Sequence, residues 1–171
     1  INIKKKINFK NISSKSNLKF VFFSRIHPSK NLHKLIELWK NDKFFDKYSL
    51  SIFGEITDKS YFEKLFYKSK KNFNNINYLG ALKRNLQNIL SKYDIFIMPS
   101  KSENFGLVVL EALSSGLFIL VNKNLPWQIL EKNHFGKSFI MNKKNLIYSI
   151  KKINQIKNKI RSKKYKIKIL N

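Results

Sequence analysis

The chain predicts a single α/β domain, a doubly wound parallel sheet covered by helices on both faces. Short β-forming apolar runs alternate with segments whose apolar residues repeat at helical spacing. The runs are apolar almost throughout, as strands covered on both faces must be. The connections are short, and 171 residues are enough for one such sheet with both helical layers.

Residues 1–17 are polar and lysine-rich and read as a linker or incoming arm, ahead of a folded domain over 18–155. The first strand is "KFVFFS" (19–24), followed by "NLHKLIELWKN", with Leu32, Leu35, Ile36 and Trp39 on one helical face. "YSLSIFG" (48–54) is a second strand closing on Gly54. "DKSYFEKLFYKSKKN" is a helix capped by Asp58, with Tyr61, Phe62, Leu65 and Phe66 facing inward. "INYLG" (76–80) and "RNLQNILSKY" supply a third strand and helix. "DIFIMPS" (94–100) is the most continuously apolar strand, and a helix starting near Asn104 or Phe105 ends at Gly116. "LFILVN" (117–122), a short helix in "LPWQILE", the short strand "KSFI" and a basic amphipathic helix in "NKKNLIYSIKKINQIKNKI" complete the series. Residues 156–171 read as a basic tail.

Composition excludes several function classes. The chain is 43% hydrophobic, which fits a packed domain rather than a disordered one. It has no cysteine, so disulfides, thiolate metal sites and cysteine nucleophiles are out. No apolar run reaches bilayer length and no secretory signal opens the chain, which points to a cytoplasmic setting. The first residue, Ile1, suggests a piece of a longer chain.

The formal charge of +25 raises nucleic-acid binding. Lys is enriched together with Asn, Ile and Phe, all with AT-rich codons, so coding bias is the first explanation. A functional basic surface, for anionic membrane lipid or an acidic ligand, is the second. The aromatics fall inside apolar strands, where they serve as core rather than as a stacking platform.

In a doubly wound sheet a ligand binds beyond the carboxyl ends of the strands, where strand order reverses, usually between the first and fourth strands. The loops there are "SRIHPSKN" and "PSKSENFG". The first offers Arg25 and Lys30, a fork and a point charge suited to a diphosphate. Lys30 alone reads better as a solvated loop charge. Arginine occurs only at Arg25, Arg84 and Arg161, so lysine bias does not explain Arg25. In the second loop, Gly106 would let a ligand approach the N–H groups of a helix start. Glu103 stands at the mouth of that helix, as a ligand-binding acid or one favoured by the helix dipole. Glu111 lies in "LVVLEALSSG", apolar almost all round, which favours a buried, partnered carboxylate over an exposed position on an amphipathic helix. A ligand lying along the helix would meet Glu103 with a sugar and Glu111 with a ribose, since a carboxylate accepts from two vicinal hydroxyls. His27 reads as a loop residue without a catalytic role, and Trp127 as core or cleft wall.

With these residues in place, the chain resembles the Rossmann-like C-terminal domain of a GT-B glycosyltransferase of the group 1 (family 4) type, from about Lys19 to Ile150. The resemblance rests on "FFSRIHPSKNLHKLIELW", on two glutamates separated by seven residues in "ENFGLVVLE", on "EALSSG" with a following strand and "PW", and on "NINYLGAL". It implies a UDP- or GDP-sugar as donor substrate, no metal or other cofactor, and a retaining reaction in glycan or envelope polysaccharide synthesis. Arg25 and Lys30 would bind the donor diphosphate, and Glu103 the sugar hydroxyls. The backbone of Asn104, Phe105, Gly106 and Leu107 would lie near sugar and phosphates, Glu111 at the ribose, and Gly54 and Leu82 near the base.

Two positions depart from the family pattern: Ser24 and Asn31 stand where relatives carry glycine, and both residue types tolerate turns. The glycan or lipid-linked acceptor would be bound by an N-terminal domain that residues 1–18 cannot supply. This chain would then be the donor-binding half, at the inner membrane face if peripheral contact with anionic lipid holds it there. The alternatives are a basic binding module for nucleic acid or anionic membrane, which would not need the paired acids, and an inactive gene remnant.

Overall fold

The computed structural model describes residues 15–40, 42–66, 75–82, 85–103 and 106–170. Six parallel strands form one sheet: β1 (Lys19–Phe23), β2 (Ser49–Phe53), β3 (Ile76–Tyr78), β4 (Ile95–Met98), β5 (Phe118–Asn122) and β6 (Gly136–Phe139). Their order is β3-β2-β1-β4-β5-β6, with β1 paired to β2 on one side and β4 on the other. The order therefore reverses between β1 and β4, as the sequence leads one to expect for this class.

Alternation along each strand builds two cores. Phe20 and Phe22 of β1, Leu50 and Ile52 of β2, and Ile95 and Ile97 of β4 share one face. Val21, Phe23, Phe53, Phe96 and Met98 share the other. On the first face lies α1 (Leu32–Lys40), whose Leu35 and Trp39 are buried. The Phe20 and Trp39 rings meet edge-on with centroids 5.0 Å apart. On the second face lies α4 (Leu107–Ser114), with Val109 and Ala112 buried. Fully burying a side chain such as Phe20 or Phe96 contributes about 1.5–3 kcal/mol, so the aromatic runs explain the sheet as core material.

The intervening helices are α2 (Lys59–Phe66), α3 (Leu86–Leu90) and α5 (Gln128–Lys132). Asp58 caps α2 by accepting from the Tyr61 N–H at 2.9 Å. On the inward face of α2, Phe62 and Leu65 are buried, while Tyr61 and Phe66 are only partly so. Gly116 ends α4 at φ 77°.

The C-terminus differs from expectation. The basic helix α6 (Lys143–Gln155) breaks at Ile156, and α7 (Lys157–Arg161) and α8 (Lys163–Leu170) follow over the segment read as a basic tail. Ile160 and Tyr165 are buried there. Arg161 forks onto Asp94 at 2.7 and 2.8 Å and also donates to the Ser16 and Asn17 carbonyls. Asp94 in turn accepts from the Lys19 N–H at 2.8 Å. One arginine thus ties the C-terminal helices to the amino ends of β1 and β4. No helix among the described residues is long and apolar enough to cross a membrane.

Candidate active site

The loops beyond β1 and β4 meet at the reversal point. After β1 the chain makes a bridge at Ile26 with Ile56, then a 3-10 turn over Pro28–Lys30. Asn31 follows in the left-handed region at φ 55°, which asparagine enters more readily than most side chains. Its amide, itself buried, donates to the Pro99 carbonyl at 3.1 Å. From β5, the buried Asn122 amide donates to the Ser100 carbonyl at 3.1 Å. Two side-chain amides therefore fix the backbone leaving β4.

That brace sets Glu103 against Lys30, whose Nζ donates to Oε1 at 2.7 Å and Oε2 at 2.8 Å. The two side chains are only 10% and 15% exposed, so water screens the pair weakly. Arg25 is exposed, directly beyond Ser24, and among the described residues nothing pairs with it.

Helix α4 begins at Leu107, later than expected, with Gly106 as its N-cap at φ 57°. A side chain at Gly106 would strike the Trp127 ring, which lies 2.4 Å from where a Cβ would stand. Gly106 is buried beneath that indole, so its missing side chain makes room for Trp127 rather than for a ligand. Trp127 is partly buried against the second core, as cleft wall or core residue. Leu107 is 64% exposed. Asn104 and Phe105 lie outside the described residues.

Glu111 also departs from expectation: it is exposed, and among the described residues its carboxylate has no partner. It stands four residues after Leu107, about 6 Å along the axis. Its carboxylate borders a cleft of about 580 Å³ that Gly54, Leu82, Phe53 and Tyr78 also line. Desolvation against these walls raises the Glu111 pKa above its ordinary value. The expected trio of Gly54, Leu82 and Glu111 is thus brought together.

Gly54 is there for a steric reason, since a Cβ would sit 1.9 Å from the Ser24 carbonyl oxygen. The Tyr78 hydroxyl donates to the Gly54 carbonyl at 2.8 Å. Sequence reasoning did not single out Tyr78, Phe53 or Asn122. The signal for the first two was their place as the last residues of β3 and β2, where side chains border a ligand crevice. A mostly apolar wall with the Glu55 and Glu111 carboxylates beside it suits a planar heterocycle bearing a vicinal diol. Among the described residues, no group of three or more His, Asp or Glu is placed to hold a metal ion.

Such a fold and cleft define a Rossmann-like domain with an open cleft beyond the carboxyl ends of β1, β2 and β3, bordered on one side by α4. The chain belongs to the family described as glycosyl transferases group 1, whose model matches residues 3–168. It is 31% identical over 98 residues to the UDP-N-acetylglucosamine–peptide N-acetylglucosaminyltransferase GtfA subunit of Streptococcus agalactiae. That match takes in 57% of this chain and 19% of the relative, so the chain spans a small part of that protein. Its fold is that of a GT-B C-terminal domain. The catalytic domain of Helicobacter pylori cholesterol-α-glucosyltransferase superposes with a TM-score of 0.67 at 18% identity, covering 90% of this chain and 98% of that one. Anabaena HepE in complex with UDP and glucose gives 0.70 at 19% identity, covering 91% and 44%.

Proposed function

We propose that this chain binds the donor, a UDP- or GDP-linked sugar, for a retaining glycosyl transfer in glycan or envelope polysaccharide synthesis. The single observation that carries the proposal is the cleft in which Glu111 faces the walls made by Gly54, Tyr78 and Leu82. The base lies against those walls and the ribose hydroxyls donate to Glu111. The structural neighbour HepE holds UDP and glucose, which supports a nucleotide-sugar here.

The diphosphate runs from the ribose towards the start of α4 and the end of the β1 loop. Arg25, Lys30 and the N–H groups of the first α4 turn take up its charge as the glycosidic bond breaks. Lys30 has three N–H donors, so it can hold the Glu103 carboxylate and still give one to a phosphate oxygen. Glu103, fixed by Lys30, accepts from sugar hydroxyls. The acceptor, a glycan or lipid-linked molecule, is presented by a second domain facing the same loops.

Thermal-shift titration with UDP, GDP and their sugars tests this. A stabilising shift with one nucleotide, abolished by Arg25→Ala and Glu111→Ala, is the expected result. Shifts unchanged in both variants would exclude the assignment.

A further inference from the structure

The donor cleft holds a second carboxylate. Glu55 lines it together with Glu111, and among the described residues no cation does. The chain has 35 Lys and Arg against 10 Asp and Glu, so a cleft lined by two acids reverses its composition. A bias toward lysine codons does not produce that reversal.

The backbone fixes where Glu55 stands. Beyond the strand ends, the Ser24 and Ile26 N–H groups donate to the Phe53 and Glu55 carbonyls at 3.1 and 2.8 Å, and Ile26 bridges Ile56. The register that pairs Phe23 with Phe53 therefore runs on and sets Arg25 opposite Glu55. Phe23 and Phe53 face the second core, so alternation turns Arg25 and Glu55 to that same side, where α4 and the cleft lie. Among the described residues the two form no ion pair, which leaves each free for a ligand.

Strand order gives the direction along the crevice. The loops after β4, β1, β2 and β3 carry Glu103, Arg25, Glu55 and Leu82 in turn. With the donor laid as proposed, its sugar is at Glu103, its diphosphate at Arg25 and its base at the ends of β2 and β3. Glu55 then stands at the base, and Glu111, reaching in from α4, at the ribose.

We propose that Glu55 selects guanine, which makes the donor a GDP-sugar; this rests on the cleft being a nucleotide site. Guanine carries two parallel donors on one edge, N1–H and the N2 amino group, and a carboxylate accepts from both. Uracil offers a single N–H between two carbonyl oxygens, and a carboxylate repels those oxygens. The walls made by Phe53, Ala81, Leu82 and Leu86 give apolar surface to the bicyclic ring.

Calorimetry on the whole chain and on Glu55→Gln tests this with four probes: GDP, UDP, inosine diphosphate and xanthosine diphosphate. Inosine lacks the N2 amino group, and xanthosine has a carbonyl oxygen in its place. The parent should bind GDP about tenfold tighter than inosine diphosphate, and tighter still than UDP. Glu55 is exposed, so Glu55→Gln should fold as the parent does. In that variant the margin of GDP over inosine diphosphate should collapse. Xanthosine diphosphate should gain, because a glutamine amide donates to the new carbonyl while its oxygen accepts from N1–H. GDP binding no tighter than UDP or inosine diphosphate, or a margin that survives in Glu55→Gln, overturns the guanine assignment while nucleotide binding itself stands. An equal gain of GDP and UDP in Glu55→Gln makes Glu55 a counter-ion of Arg25 and overturns it too. If none of the four binds the parent, the nucleotide site falls and the proposal with it.

Discussion

Lys30 Nζ donates to both carboxylate oxygens of Glu103, at 2.7 and 2.8 Å, across the point where the sheet reverses its order. The partners are 73 residues apart, and each stands in one of the two loops that frame the reversal. The pair gives the two residues separable roles. Lys30→Ala removes a charged donor from the phosphates and should weaken UDP or GDP about ten- to a hundredfold by calorimetry. Glu103→Gln frees Lys30 and should leave nucleotide affinity equal or higher. What it removes is the extra affinity that the sugar confers. Equal loss of nucleotide and nucleotide-sugar in both variants would contradict this division.

Glu111 at the cleft makes nucleotide binding depend on pH. Desolvation raises the Glu111 pKa above its ordinary value, and only the ionised form accepts from two hydroxyls. Affinity should hold at neutral pH and fall as pH drops through that raised pKa. Glu111→Gln should bind weakly at all pH and lose this part of the profile. For stability the sign is reversed. The folded state holds this proton more tightly than the unfolded state, so the contribution is full below the unfolded pKa and is lost as pH rises through the folded one. Urea titrations across the acid range should show Glu111→Gln flattening that decline.

Three glycines should respond differently to alanine. Gly54 has the Ser24 carbonyl 1.9 Å from its Cβ position, and backbone cannot step aside cheaply. Gly80 has φ 82° with nothing within 4 Å, so only conformational strain is added, about 1 kcal/mol. Gly106 combines φ 57° with the Trp127 ring at 2.4 Å. Gly54→Ala should therefore destabilise most, by more than about 2 kcal/mol. Gly106→Ala should displace Trp127, and since Trp39 is buried elsewhere, the change in indole emission reports on Trp127. Unchanged emission in a folded Gly106→Ala protein would contradict the packing.

Arg161→Ala should destabilise the domain by about 3 kcal/mol, because it takes the guanidinium fork from the buried Asp94 and leaves it only the Lys19 N–H and the charge of the buried Lys166. Nucleotide affinity of the protein that stays folded should not change, since this pair sits at the amino ends of the strands. Replacing both partners with apolar residues of similar volume should not recover the loss, because it leaves the buried Lys166 without its counter-charge and the Lys19 N–H without its acceptor. Chemical denaturation of the single and double variants measures both.

The strands and the reversal point were legible because each strand is an unbroken β-forming run and each gap holds a helix-spaced one, from "KFVFF" to "LFILVN". Asp58 and Gly116 marked their helix ends for local reasons that hold in any tertiary setting. What depended on three-dimensional packing was less legible. Glu111 sits in an apolar run, yet α4 turns Leu107, Leu110 and Glu111 outward, because Val109 and Ala112 face the core with Val108 and Leu113 packed at its edge. Gly106 looked like an opening for a ligand, and the indole that fills it is far along the chain. The last helices read as a tail because their lysines outnumber the buried positions that dock them, Ile160, Tyr165 and Lys166, the last itself a lysine. No local pattern announces that Arg161 reaches Asp94. Asn31 could be read as turn-tolerant, but its bond to Pro99 could not.

Amide resonances followed while uridine or guanosine, and then UDP or GDP, is added to the unmodified chain test the central claim most directly. Saturable perturbations at Gly54, Tyr78, Leu82 and Glu111, with Lys30 and Leu107 moving only when the diphosphate is present, are the predicted result. Perturbations absent from these residues, or confined to Phe118 and Gly136 at the opposite end of the sheet, would contradict it.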